Sequence, residues 1–193
     1  YHPLPSNPHT ILVQAQEKIG DAILLFPTIV GLKKMFPKST IHILCSSKNE
    51  PILQAHKDVE KTMIYRSGRR FWQILQETKY DLFYNPKDHP SITGFKIAKN
   101  VRADVKVCIA GRRQEQHYNY GLSLQSAQHI LEFNGAILQA YSFGFNVESS
   151  FPNVVLSNPK EKNLISVNLS AGSDSRKWSL NNWISLIDLI IKD

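Results

Sequence analysis

The chain lacks most of the short signatures that would reveal its chemistry directly. No two of its nine glycines are spaced G-x-G, so the G-x-G-x-x-G dinucleotide turn is missing. There is no G-x-x-x-x-G-K-[ST] phosphate loop and no G-x-S-x-G nucleophile elbow. A Rossmann dehydrogenase, a P-loop ATPase and an α/β-hydrolase all lose ground. There are only two cysteines, Cys45 and Cys108, each in or just after an apolar strand-like run. They read as buried reduced thiols, as expected of a chain kept in a reducing compartment. No cysteine pair has ligand spacing and the seven histidines form no H-E-x-x-H, so neither a metal nor another cofactor is expected. No apolar run approaches the ~20 residues that span a bilayer. Internal repeats and low-complexity tracts are absent. The opening Tyr1 to Pro8 is polar and Pro-rich, which is not a signal peptide.

What is present is an ordinary globular composition, 193 residues with 42% hydrophobic and 20% charged. That length holds one domain, or one domain and part of another. The net charge of +7 is unevenly spread. Residues 60–113 carry twelve Lys/Arg against five Asp/Glu, while the remainder has eleven of each. The whole excess therefore falls in one segment, with Arg66, Arg69, Arg70, Arg102, Arg112 and Arg113 in it. Such a concentration suits an anionic partner, whether phosphosugar, anionic lipid surface or nucleic acid; a solvated face is the alternative.

Apolar runs alternate between strand and helix period. Strands are expected at Thr10–Gln16, Thr40–Cys45, Thr62–Tyr65, Asp81–Tyr84 and Val105–Ile109. Helices are expected at Gly20–Phe36 (with a kink at Pro27), Asn49–His56, Phe71–Thr78, Ser91–Asn100 and Leu124–Ala140. Gly111 to Leu122 reads as loop. This alternation predicts a doubly wound, mainly parallel α/β sheet over residues 10–145, behind a flexible lead-in of residues 1–9. Residues 146–162 read as a linker. A new strand at Asn163–Leu169 and a helix capped by Ser179 then open a second lobe, 163–193, which reads as truncated because one strand and one helix cannot bury their own faces.

Two strand–turn–helix junctions carry the candidate chemistry, since ligands of open α/β sheets sit at the carboxyl ends of strands. At the first, Lys18-Ile19-Gly20-Asp21, Gly20 permits close backbone approach and Asp21 places a carboxylate where the helix opens. Asp21 is either a general base for a sugar hydroxyl or a helix-terminal carboxylate favoured by the dipole. At the second, Ser170-Ala171-Gly172-Ser173 offers N–H groups and a hydroxyl to phosphate oxygens, with Arg176 and Lys177 following; an ordinary polar loop is the alternative. Arg112 and Arg113, beside His117 and Tyr118, suit sugar or nucleic acid, or belong to a solvated loop. His129 near the start of a long helix is either structural or a ligand contact. Asn85-Pro86-Lys87-Asp88-His89 is well placed after a strand, but its spacing matches no mechanism.

Together these blocks resemble glycosyltransferase family 9, the bacterial heptosyltransferases of lipopolysaccharide inner-core synthesis. Ile11-Leu12-Val13 with Lys18-Ile19-Gly20-Asp21-Ala22-Ile23-Leu24 and Pro27 resembles that family's opening strand, IGD turn and Pro-containing helix. Leu32-Lys33-Lys34-Met35-Phe36-Pro37 matches the end of that helix, and His129-Ile130-Leu131-Glu132-Phe133-Asn134 is similar to its H-x-x-E-x-N helix. Val167-Asn168-Leu169-Ser170-Ala171-Gly172-Ser173 with Arg176-Lys177-Trp178-Ser179 and Trp183 resembles the block that opens its second domain. The chain departs from the family where Pro-Gly is replaced by Leu169-Ser170, where Pro is replaced by Ser179, and at Asn85.

The resemblance implies a two-lobed glycosyltransferase-B fold whose first lobe is Rossmann-like. It implies an inverting, metal-independent transfer of heptose from ADP-heptose, with the acceptor on the first lobe and the donor on the second. Asp21 takes the place of the proposed base, with Lys18, Gly20, Arg112, Arg113 and His129 as acceptor-side contacts. Ser170, Ala171, Gly172, Ser173, Arg176 and Lys177 take the place of the donor phosphate contacts. An anionic Kdo–lipid A type acceptor fits the basic segment, and a cytoplasmic protein peripheral on the inner membrane follows. This chain alone is expected to be inactive. Two other readings stand beside it: a non-catalytic relative that only binds an anionic glycolipid or sugar, and an α/β nucleic-acid-binding protein, which lacks any recognised motif.

Overall fold

The computed structural model describes residues 3–15, 18–111, 114–124, 129–144, 165 and 167–192. The chain divides into two units, Tyr1–Pro152 and Asn153–Asp193.

The first unit is built on six parallel strands: β1 (Thr10–Gln14), β2 (Thr40–Cys45), β3 (Lys61–Ile64), β4 (Tyr80–Asn85), β5 (Ala103–Ile109) and β6 (Tyr120–Leu122). Their spatial order is β3-β2-β1-β4-β5-β6. β1 pairs with β2 from Thr10↔Thr40 to Gln14↔Leu44 and with β4 from Ile11↔Leu82 to Val13↔Tyr84. The order reverses at β1 and β4, which makes their carboxyl ends the topological switch point. The doubly wound parallel sheet predicted from the apolar runs is the one found.

Helices cover both faces, so the central strands are apolar on both sides. Ile11, Val13, Ile41, Ile43, Leu82 and Tyr84 pack towards α1 (Ile19–Ile23), α2 (Phe26–Met35), α3 (Glu50–Gln54) and α6 (Ile130–Ala140). Leu12, Leu44, Tyr80 and Phe83 pack towards α4 (Arg69–Glu77) and α5 (Ile92–Asn100). Cys45 and Cys108 are both buried, in keeping with the sequence. Ser91 caps α5 by accepting from Gly94 N at 2.9 Å.

Three elements differ from the sequence reading. The helix expected over Gly20–Phe36 is two helices, with Leu24 and Leu25 between them. Pro27 has no N–H and would crowd the carbonyl of residue 23 in a continuous helix, so it sits instead in the first turn of α2. The expected loop Gly111–Leu122 contains a 3₁₀ turn, Gln114–His117, and the edge strand β6, too short for a clear period. The last helix of this unit starts at Ile130, not Leu124.

In the second unit, α7 (Leu180–Lys192) begins after Ser179, whose Oγ accepts from Asn182 N at 3.2 Å. Of the strand expected over Asn163–Leu169, residues 163, 164 and 166 lie outside the described residues; Ile165 and 167–169 are in no strand and are exposed. A strand without a neighbour has nothing to satisfy its backbone.

Candidate functional site

At the switch point, on the α5 face, a cleft of about 290 Å³ opens among Gln14, Cys45, Ser46, Tyr65, Lys87 and Thr93. Gln14 ends β1 and is 4% exposed; Lys87 follows β4 and is 7% exposed. The turn carrying Lys87 is built by Asn85. Its Oδ1 accepts from Lys87 N at 3.1 Å, and its Nδ2 donates to the Tyr118 hydroxyl at 2.7 Å. Tyr118 in turn stacks on Phe83, with ring centroids 6.1 Å apart. Across the cleft, Ser46 N donates to Asn49 Oδ1 at 3.1 Å, and Tyr65 leans edge-on against Phe71 and Trp72. Burial, aided by Glu50, pushes the Cys45 thiol up to about 12, so it is a wall and not a nucleophile.

Among the described residues the cleft thus presents an amide, the two ammoniums of Lys48 and Lys87, hydroxyls and a phenol, but no carboxylate. That set suits a hydroxylated, anionic ligand and supplies no base. Tyr65 also lines a second recess with Trp72, Lys96 and Lys99. Beyond β3 a third sets Lys61, Arg66 and Arg70 among the carboxylates of Glu50, Glu60 and Glu77. Other cations of the basic segment are engaged in structure. Lys79 pairs with Asp104 at 2.8 Å, Arg102 Nη1 donates to Gln76 O, and Lys106 Nζ to Ala98 O.

Lys18, Gly20 and Asp21 lie together at the start of α1, across the β1–α1 loop from Gln14. Asp21 is half-buried, and among the described residues its carboxylate has no hydrogen bond or ion pair. It does not cap α1, whose N-cap position is Lys18 without a side-chain cap. With five residues, α1 also carries little of the dipole that the sequence reading assigned to a long helix. A Cβ on Gly20 would meet nothing within 4 Å, so the chain itself leaves that approach open.

His129 is the exposed N-cap of α6. Its Nδ1 accepts from Leu131 N at 3.2 Å, while Glu132 Oε2 accepts from His129 N at 3.1 Å, a reciprocal capping box. The sequence pattern H-x-x-E is therefore at least a helix start. Arg112 and Arg113 lie outside the described residues.

In the second unit, Asn168 Oδ1 accepts from Ser170 N at 2.9 Å and from Ser170 Oγ at 2.7 Å, closing the small-residue turn. Ala171, Gly172 and Ser173 follow, and Arg176 N donates to Ser173 O at 3.1 Å. Lys177 pairs with Asp174 at 2.7 Å, so a carboxylate shares the surface that carries Arg176 and Lys177. Nothing in the local sequence singles out Gln14, Ser46 or Tyr65. Lys87 belongs to the Asn85–His89 stretch, whose place after a strand is the one usable signal. Among the described residues no three His, Cys, Asp or Glu side chains are grouped to hold a metal.

No family model matches the chain, and no curated protein matches it in sequence. Solved structures do resemble it. Escherichia coli heptosyltransferase WaaC with ADP superposes with a TM-score of 0.76 at 14% identity, over 94% of this chain and 64% of WaaC. WaaC with ADP-2-deoxy-2-fluoro heptose gives a TM-score of 0.70 at 16% identity, over 94% of this chain and 65% of that one. The glycosyl transferase family 9 structure from Veillonella parvula gives 0.70 at 15%, over 95% and 60%. The chain thus spans a little under two thirds of the length of these structures, and what it shares with them is the α/β fold of glycosyltransferase-B lobes.

Proposed function

We propose that this chain is the acceptor-binding and base-bearing part of an inverting, metal-independent glycosyltransferase that moves heptose from ADP-heptose to an anionic glycolipid of the lipopolysaccharide inner core. The observation that carries the reading is Asp21: a half-buried carboxylate without partners among the described residues, on a short helix at the carboxyl edge of β1, in a fold shared with heptosyltransferases. In the reaction Asp21 takes the proton of an acceptor hydroxyl. That oxygen attacks the anomeric carbon, the bond to the diphosphate breaks, and the electron pair leaves on ADP with inversion. N–H groups of Ser170–Ser173 and the Arg176 guanidinium receive the diphosphate charge. Lys177 joins them by exchanging Asp174 for phosphate. Lys18, Lys87 and the Arg66–Arg70 surface hold the acceptor anions, with Arg112, Arg113 and His129 as further acceptor contacts. Attraction to an anionic membrane surface follows from the same cations. Among the described residues no helix is long and apolar enough to cross a membrane.

The chain spans 64% of WaaC, and in this reading turnover needs a whole donor lobe. A second reading, a module that binds glycolipid without transfer, is favoured by the absence of a carboxylate among the described residues that line the cleft. One experiment separates them. The protein with its whole donor lobe is incubated with ADP-heptose and Kdo–lipid A, and the glycolipid is weighed by mass spectrometry. Addition of one heptose, lost in Asp21→Ala, supports the transferase. Glycolipid binding without product supports the module, and neither binding nor product sinks both.

A further inference from the structure

The break between α1 and α2 leaves backbone carbonyls without their helical partners, that of Leu24 among them. In an unbroken helix Thr28 N–H would donate to Leu24 O; here it donates to Leu25 O at 3.0 Å. The Leu24 carbonyl is instead met by a side chain from far along the chain: Asn134 Nδ2 donates to it at 2.9 Å. Asn134 sits in the second turn of α6 and is 1% exposed. Its own anchor is the sheet. The Tyr84 hydroxyl of β4, completely buried, donates to the neighbouring Phe133 carbonyl. A chain of contacts therefore runs from β4 through α6 to the end of α1, the helix that carries Asp21.

The side chain is ill suited to stability alone. Asn134 Oδ1 is buried with no partner among the described residues. Half-satisfied amides are costly inside a protein, and a leucine of similar size would pack there without that cost. Helix α1 also needs outside support, since five residues are far below the length at which a helix holds itself. Its fixed points are Ala22, fully buried, and the capped Leu24 carbonyl.

Resting on the proposed transferase reading, we infer that Asn134 is a positioning residue for Asp21: by capping the Leu24 carbonyl it fixes α1 and so sets where the carboxylate stands relative to the acceptor hydroxyl. It touches no reacting atom. A displacement on the order of 1 Å at a base is enough to cost about 100-fold in rate.

The test uses Asn134→Leu, which keeps volume and removes the donor, and Asn134→Gln, which keeps an amide donor. In the transfer assay Asn134→Leu should lower kcat by roughly 10- to 100-fold with KM for the glycolipid nearly unchanged. Asn134→Gln should recover part of that loss. Hydrogen exchange read by mass spectrometry is the second arm and needs no turnover. In Asn134→Leu the amides of Ala22, Leu24 and Leu25 should exchange faster, while those of β1 and β4 stay protected. Uniformly faster exchange across the sheet, or a fall in kcat that merely follows the folded fraction, would show a structural role only and overturn the inference. Unchanged exchange in α1 would overturn it too. Should Asn134→Leu not fold, Asn134→Gln is read by exchange in its place: protection of α1 equal to wild type supports the inference, and loss across the whole sheet overturns it. If the wild type transfers no heptose, the transferase reading falls, while the exchange arm still decides whether Asn134 holds α1.

Discussion

The Asn85 amide bridges two elements at the rim of the cleft, giving Nδ2 to the Tyr118 hydroxyl at 2.7 Å while its Oδ1 receives Lys87 N at 3.1 Å. Asn85 is 3% exposed and Gly94 closes over it, since a Cβ there would lie 3.3 Å from Nδ2. Water therefore has little access to replace a lost partner. Tyr118→Phe keeps the stack on Phe83 and removes only the acceptor. It should destabilise the first unit by about 1–3 kcal/mol, the cost of an unsatisfied buried donor. Urea unfolding followed by tryptophan fluorescence measures this, and a shift below about 0.5 kcal/mol would mean that the amide finds another partner.

Cys45 lines the cleft yet should be chemically quiet. Burial, and secondarily Glu50, raise its thiol to about 12, so at pH 8 the thiolate fraction is far below that of an ordinary cysteine. Cys108 is fully buried in β5. A thiol reagent such as DTNB should titrate neither cysteine in the native protein at pH 8, and two after guanidinium is added. Rapid native labelling of one thiol would show that the cleft opens more than its geometry suggests.

The sheet was legible because its strands are apolar runs of the right length, separated by helical periods and turn residues. Ile11-Leu12-Val13 and Leu82-Phe83-Tyr84 leave little else to read. Strand β6 was not legible: Tyr120-Gly121-Leu122 is three residues, and only pairing with Val107–Ile109 makes it a strand. The break at Leu24–Leu25 was half-visible through Pro27, but a proline marks a disruption without saying whether the helix bends or restarts. Asp21, His129 and the Ser170–Ser173 turn stood out by local pattern. Gln14 and Tyr65 did not, and Lys87 did only as part of the Asn85–His89 stretch, because what gathers them is the parallel alignment of β1, β2, β3 and β4 at one edge. The bond from Asn134 to Leu24 joins positions that no local pattern relates.

The packing of α2 on α6 depends on Gly31. A Cβ there would stand 2.5 Å from Leu138 Cδ1 and 3.0 Å from Cδ2, and Leu138 is fully buried. Leu138 has no exposed space to turn into. Gly31→Ala gains helix propensity of about 1 kcal/mol but overpacks a full core, at about 1–3 kcal/mol. The expected net effect is destabilisation. Leu138→Ala in the same chain should relieve the clash, so the double variant should lose less than the sum of the singles. Additive losses in a double-mutant cycle would mean that the two helices had already moved apart.

Stability should also fall in mild acid, ahead of any carboxylate effect. Burial lowers His42, with Lys61 adding to it and Glu60 opposing; its Nδ1 lies 2.9 Å from the Tyr80 hydroxyl. Burial likewise lowers His56, with Asp58 opposing and Lys57 adding, and its Nδ1 accepts from Asp58 N at 3.2 Å. Protonation would turn that acceptor into a donor facing a donor. Both histidines thus resist a proton in the folded chain that they accept readily when unfolded, near 6.5. The unfolded state then binds more protons, so unfolding free energy is level above about pH 7 and declines as pH drops below 6.5. Asp81 acts in a lower window. Burial alone would raise it, but hydrogen bonds from Thr10 and His9 outweigh that and hold it below 3.8, so its contribution is lost only at stronger acid. Denaturant midpoints between pH 7.5 and 5 therefore isolate the histidines. The decline should flatten in a His42→Phe, His56→Gln double variant, and an equally steep decline there would assign the acid sensitivity to other groups.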